Sequence, residues 1–258
     1  MSGTGGALPI TDRPSPNHGE RRSGPVDILL LHYTGMPDAD QALDWLCDTQ
    51  SGVSCHYFIH EDGRIVRLVD EGQRAWHAGA SCWAGESDIK SRSIGLEIAN
   101  YGHAALADPA TPAPAALPAF PDPQIDAVIA LCADILARHE IPPYRVLAHS
   151  DVAPARKEDP GEAFPWARLA EAGIGHWVEP EPVRGGRFIS LGDCGEPVEA
   201  LQSMLALYGY EIPVSGRFDE TTKQVVMAFQ RHFRPERVDG IADASSIQTL
   251  HNLMSRLP

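Results

Sequence analysis

Basic side chains are scarce in this chain: 21 Lys and Arg stand against 35 Asp and Glu, a formal net charge of −14 over 258 residues. Neutralising a phosphate backbone needs clustered Lys and Arg, so binding to nucleic acid is not expected. Long apolar runs are missing as well. The opening stretch MSGTGGALPITDRPSPNHGERRSG is polar and rich in Gly and Pro, with no signal-peptide core, and nothing suggests a membrane span. A cytoplasmic protein is the expectation, with the periplasm, by a route not visible in the sequence, as the alternative. Cys47, Cys55, Cys82, Cys132 and Cys194 are odd in number, scattered and never arranged as CxxC. Neither a disulfide framework nor a cysteine zinc site follows, and they read as small buried hydrophobes. No HExxH helix and no GxSxG elbow is present, which removes the common zincin and serine-hydrolase patterns.

What is present is enough apolar material, 43%, for one ordinary domain and a small second one. PVDILLLHYTG holds a continuous apolar run of strand length, as a central strand covered on both faces requires, with His32 at its carboxyl end. ADQALDWLCDTQ has helical spacing, and VSCHYFIHEDGRIVRLV reads as a hairpin about Asp62-Gly63. In SIGLEIAN the large residues Ile94, Leu96 and Ile98 alternate with Ser93, Gly95 and Glu97, which turns Glu97 away from the apolar face. AALADPATPAPAALPAFPDP, within residues 104–123, cannot continue a helix or a ladder and is expected as an exposed loop beside the site. QIDAVIALCADILARHE is the clearest helix, ended by Pro142-Pro143, and YRVLAHS is another strand with His149 at its end. Strands mixed with helices predict an α/β sheet, whose ligands gather at the carboxyl ends of the strands.

Composition divides the chain into a flexible tail over 1–24, a main domain over 25–177, a Pro- and Gly-rich linker over 178–192 and a helical unit over 193–258. The last unit shows three amphipathic helices. GRFDETT and DGIADASS are similar phrases, each placing a capping residue before a helix, which reads as a weak internal repeat.

The stretch AHSDVAPARKEDPG puts His149, Lys157 and Asp159 on one Pro-broken loop. A catalytic metal site needs three protein ligands and an open position, which His32, His149 and Asp159 can supply. Lys157 and Asp159 are two apart before a proline and face one side if the backbone is extended. A Lys there meets the negative oxygen that forms when water adds to a carbonyl, and Glu97 can act as general base. On the residues alone each has a plain alternative: a hydrogen-bonded core histidine, a solvated Lys-Glu-Asp turn, a strand Glu paired with Arg. His56 and His60 are four apart but lie in a strand sequence and read as structural. Trp76 and His77, in WHAGAS, can pack on a sugar or peptide, and Trp76 reads equally as core.

The order of these motifs is more specific than any one of them. LLLHYTG, VSCHYFIHEDGRIVRLV, RAWHAGAS, SIGLEIAN and LAHSDVAPARKEDPG resemble, in sequence, the zinc-dependent N-acetylmuramoyl-L-alanine amidases of the type 2 amidase family, which includes AmpD-like and AmiD-like enzymes and shares its fold with peptidoglycan recognition proteins. The resemblance covers about residues 25–177. The C-terminal unit, with PVEALQSMLALYGY and GRFDETTKQVVMAFQ, resembles a peptidoglycan-binding type 1 domain. These resemblances imply a mixed central sheet flanked by helices plus a small three-helix domain. They imply zinc on His32, His149 and Asp159, acid/base work by Glu97 and oxyanion stabilisation by Lys157. Tyr33, Trp76, His77 and Asn100 are the implied substrate contacts, and the partners are peptidoglycan or muropeptide fragments; the oligomeric state stays open, with a monomer as the expectation. Relatives that lose a metal ligand bind wall fragments without cutting them, and some carry Cys where this chain has Asp159. A non-catalytic receptor is therefore the alternative. Tyr33 stands where AmpD-like members often have Asn, and the choice between anhydro-muropeptide and intact wall stays open.

Overall fold

The computed structural model describes residues 8–107 and 116–258. Its centre is a six-stranded mixed sheet. Strand β1 is Ile10–Asp12, and β2 (His18–Glu20) lies outside this sheet. β3 is Ile28–Tyr33, followed by helix α1 (Ala39–Leu46), β4 (Tyr57–Ile59), β5 (Ile65–Arg67), β6 (Gln73–Ala75), α2 (Ile89–Arg92) and β7 (Ser93–Ile98). Then come α3 (Ala104–Ala107), α4 (Asp122–Arg138), β8 (Val146–Ala148), α5 (His149–Val152) and α6 (Trp166–Glu171). The sheet order is β1-β5-β4-β7-β3-β8, with β4 and β5 the expected antiparallel hairpin and β3 parallel to both β7 and β8.

The apolar run Ile28–Leu31 is fully buried because both faces of β3 are covered. Leu29 and Leu31 point to one face, with Ile94, Leu96 and Ile98, and meet α4 through Ile125, Val128, Leu131, Cys132 and Ile135. Those helix positions recur at three and four residues, so one stripe of α4 faces the sheet. Each such fully buried side chain stabilises the fold by roughly 1.5–3 kcal/mol. Ile28 and Leu30 point to the opposite face, into a core completed by the C-terminal helices.

Two expectations change here. Within the stretch expected as a flexible tail, β1 pairs in parallel with β5 and β2 pairs with β6. Edge pairing supplies backbone partners that the Pro- and Gly-rich composition does not reveal. The stretch expected as a linker is also tied down: Val178 is buried, Ser245 donates from Oγ to the Glu181 carbonyl, and β9 (Phe188–Ile189) pairs with β10 (Ala242–Asp243). The first residues of the expected Pro/Ala loop form the helical turn α3, and residues 108–115 of it lie outside the described residues.

The C-terminal unit contains α7 (Glu196–Tyr208), α8 (Glu220–Phe233) and α9 (Ala244–Met254), three helices as expected. Its internal repeat is geometric. Gln202 of α7 is fully buried; its Oε1 accepts from the N–H groups of Ser215 and Gly216, and its Nε2 donates to Arg217 O and Thr222 Oγ1. Gln230 of α8 does the same with Asp239, Gly240, Ile241 and Ser246. Gly216 and Gly240 both have positive φ, which the turn under each glutamine requires. Asp219 and Asp243 then cap α8 and α9 by accepting from the third residue onward.

Candidate active site

Parallel pairing brings the ends of β3, β7 and β8 to one edge. His32 and Glu97 are register partners on adjacent strands, so both side chains stand on the same face, the one continuing from Leu30. β8 stops at Ala148, and His149 opens α5 directly beyond it. The Pro-broken segment then returns: the Ser150 N–H donates to the Asp159 carbonyl at 3.0 Å, which places the Asp159 side chain beside the two histidines. Gly95, two residues before Glu97, leaves the space that His77 fills, since a Cβ there would come within 2.6 Å of the imidazole.

His32 Nδ1, His149 Nδ1 and Asp159 Oδ2 lie 2.9–3.0 Å from one another, all buried. The surrounding hydrogen bonds assign the protons. His149 Nε2 lies 3.1 Å from the Ala78 carbonyl, which can only accept, so Nε2 carries a hydrogen and, in the neutral ring, Nδ1 is bare. Ser93 Oγ donates to the Ile89 carbonyl, and therefore accepts from His77 Nε2. His77 Nδ1 is then an acceptor for His32 Nε2–H at 3.0 Å, which leaves His32 Nδ1 bare as well. Both assignments need neutral rings. Burial, with the facing His149, pushes His32 down to about 4, and burial together with the neighbouring rings holds His77 far below its ordinary value.

With both rings neutral and the Asp159 carboxylate ionised, three bare acceptor atoms converge at one buried position. Such a set repels itself unless a cation lies between its members, and two imidazole nitrogens with one carboxylate oxygen suit a divalent metal with an open position. The outward bonds to Ala78 and His77 orient the ring ligands as metal-ligating histidines require.

The cluster borders a cavity of about 250 Å³ whose walls include Glu97, Lys157, Tyr33 and Trp45. Burial raises Glu97 well above the ordinary carboxylate value, and the charge of Asp159 raises it further against the opposing pull of Lys157. A second groove of about 470 Å³ shares His77 and Lys157 and adds Trp76 with Arg22, Arg74 and Arg156. This concentrates positive charge beside the site in an acidic chain.

Of the expected substrate contacts, Tyr33 and His77 line the first cavity and Trp76 lines the second. His77 also stands behind His32 as its hydrogen-bond partner. Asn100 lies apart from these three. Its amide is consumed by the loop, donating to the Pro118 and Ala119 carbonyls and accepting from the Gly102 N–H, and it does not line either cavity. His56 is structural as expected: its Nδ1 accepts from the Gly95 N–H and its Nε2 donates to the Gln73 carbonyl. The basic residues Arg22, Arg74, Lys90 and Arg156 of the groove were missed because they come from four separate segments. Asp151, next but one to His149, was missed as well.

Residues 22–162 match the N-acetylmuramoyl-L-alanine amidase family, and residues 194–250 match a peptidoglycan binding domain family. The chain is 40% identical over 230 residues to N-acetylmuramoyl-L-alanine amidase AmiD of Escherichia coli, covering 86% of this chain and 79% of that protein. It is 30% identical over 174 residues to 1,6-anhydro-N-acetylmuramyl-L-alanine amidase AmpD of Escherichia coli, covering 60% of this chain and 87% of that one. Among solved structures, AmiD in complex with the substrate anhydro-N-acetylmuramic acid-L-Ala-D-gamma-Glu-L-Lys superposes with a TM-score of 0.75 at 36% identity, over 95% of this chain and 93% of that one. AmpDh3 of Pseudomonas aeruginosa superposes with a TM-score of 0.73 at 31% identity, over 95% and 96%. With its paired modules, its mixed sheet and its His-His-Asp cluster, the chain belongs to the N-acetylmuramoyl-L-alanine amidase family.

Proposed function

We propose that this chain is a zinc hydrolase that cuts the amide joining the lactyl group of N-acetylmuramic acid, or of its 1,6-anhydro form, to L-alanine of the peptidoglycan stem peptide. One observation carries the reading: His32 Nδ1, His149 Nδ1 and Asp159 Oδ2 converge within 3.0 Å of one another beside a cavity that also holds Glu97 and Lys157. These three residues would hold the zinc, which supplies a Lewis acid for the amide carbonyl and makes water acidic enough to react near neutral pH. Glu97 takes the proton of the attacking water and returns it to the leaving amine of L-alanine. Lys157 faces the oxygen that becomes negative as the tetrahedral centre forms. The groove with Trp76, Arg22, Arg74 and Arg156 suits a stem peptide, its carboxylates on the guanidinium groups and an apolar face on the indole.

Peptidoglycan is the proposed partner, because the superposition on AmiD spans 95% of this chain and so takes in the C-terminal unit, whereas the AmpD match covers only 60% of the chain. Among the described residues no helix is long and apolar enough to cross a membrane. The deciding measurement is metal content together with mass spectrometry of digests of anhydro-muropeptide and of intact sacculi. The expected result is one zinc per chain and free stem peptide from the wild type. The Glu97→Ala variant is expected to keep its zinc and lose roughly three orders of magnitude in rate. Cleavage between sugars, or uncut substrate with metal bound, overturns the reading.

A further inference from the structure

The loop that carries two of the three acceptors is held from behind by the C-terminal unit. Asp151, two residues after His149, is fully buried and ringed by donors. Its Oδ2 accepts from the Ala148 N–H at 2.8 Å and from His232 Nδ1 at 2.6 Å, and its Oδ1 accepts from the Tyr210 hydroxyl at 2.7 Å. Tyr210 and His232 both belong to the C-terminal unit, and the His232 ring is stacked against Trp166 at 3.8 Å. A second tie reaches the other end of the loop. The guanidinium of Arg231, itself buried, donates to Glu158 at 2.8 Å, and Glu158 stands between Lys157 and Asp159. The two ends are joined to each other through the Ser150 N–H and the Asp159 carbonyl.

A buried carboxylate is stable only while charged or polar donors surround it. With Tyr210 and His232 removed, Asp151 keeps only the backbone donor of Ala148, the residue that leads into His149. The turn carrying His149 must then shift or open to water. We infer that Tyr210, Arg231 and His232 are positioning residues of the metal centre, so that the C-terminal unit is part of the catalytic apparatus as well as a wall-binding attachment. This rests on the reading of His149 and Asp159 as metal ligands. The same contacts set what truncation does. Removing everything after about Gly185 strips Asp151 of two donors and uncovers Ile28, Leu30 and Leu147, so cleavage of soluble fragments is lost along with wall binding.

The test uses the full-length chain with Tyr210→Phe, His232→Leu, His232→Asn, the double variant Tyr210→Phe/His232→Leu, and Leu207→Ser at an exposed site of the same unit as control. Zinc affinity is read by competition with a chromophoric chelator, kcat and KM on a soluble muropeptide, and binding on sacculi by sedimentation. Residues that hold ligands in place typically change metal affinity about 10- to 100-fold, so Tyr210→Phe is expected near the lower figure and the double variant near the upper. kcat falls with them, while KM and sacculus binding stay at wild-type values, and His232→Asn, which keeps a donor at the Nδ1 position, recovers part of the loss. If His232→Leu does not fold, Tyr210→Phe decides alone, because it removes only a hydroxyl. Folded variants with wild-type zinc affinity and kcat overturn this inference alone; a wild-type chain that binds no zinc overturns the metal reading and the inference together.

Discussion

Gln202 and Gln230 in the C-terminal unit and the triplet His32, His149 and Asp159 at the sheet edge are all polar and all buried, yet their atoms are satisfied in opposite ways. Each glutamine amide meets its donors and acceptors within the turn just below its own helix, so nothing further is needed. The triplet points three ligand atoms at one spot and, with both rings neutral, has no proton to share among them. A buried polar group that is fully bonded holds a turn in shape, whereas a set that cannot be satisfied from within the protein needs a cation. Asp151 belongs to the first kind in its chemistry and serves the second by its position.

That contrast can be broken experimentally, beginning where the effect is largest. Asp159→Ala leaves two neutral rings without the carboxylate; zinc affinity and amide cleavage are expected to fall by more than about three orders of magnitude, since a ligand and not only its support is gone. Equilibrium dialysis with zinc checks it, and retained stoichiometric metal would move the centre elsewhere. Lys157→Met removes the cation facing the developing oxyanion, and kcat is expected to drop about 100-fold with metal content unchanged. A change confined to KM would make Lys157 a binding residue of the basic groove instead.

Gln202→Leu tests the satisfied side. The N–H groups of Ser215 and Gly216 and the Arg217 carbonyl lose their partner, so urea unfolding is expected to show a loss of about 2 kcal/mol, while zinc affinity and kcat of the folded protein stay at wild-type values. The smallest effect concerns a buried charge that is satisfied. Burial alone would raise Glu71, but Arg138, Tyr57 and His139 outweigh it and bring it down to about 2. A carboxylate depressed in the folded state adds stability that is present above its unfolded value, near 4.5, and is lost as pH falls toward 2. Glu71→Gln is therefore expected to cost about 1 kcal/mol near neutral pH, with the gap to wild type narrowing below pH 4.5 in metal-free protein. A gap that does not depend on pH would assign the role of Glu71 to packing.

Much of the site was legible along the chain because its parts obey local rules. The apolar run before His32 marks a central strand, alternation in SIGLEIAN separates Glu97 from its large neighbours, and both readings survive in the paired register of β3 and β7. The repeat in the C-terminal unit was legible for the same reason, since each turn and cap lies within a few residues of the helix it starts. The loop bonds of the Asn100 amide were not legible, because their partners Pro118 and Ala119 lie 18 and 19 residues on, across a stretch with no periodicity. The strands in the first two dozen residues were hidden because the partner of β1 lies 55 residues away, and a three-residue edge strand has no periodicity to detect.

By itself the sequence determined which residues could do chemistry and at which strand ends they would stand, because alternation and strand length are properties of neighbouring residues. The tertiary structure alone decided that the two imidazoles turn bare nitrogens toward Asp159, since the bonds that orient them come from Ala78 and His77. It alone decided that Asp151 is held by Tyr210 and His232, 59 and 81 residues further on. Those contacts depend on how the C-terminal helices close over the face of the sheet that continues from Leu30, and no local pattern in the sequence records which surface will be covered by another.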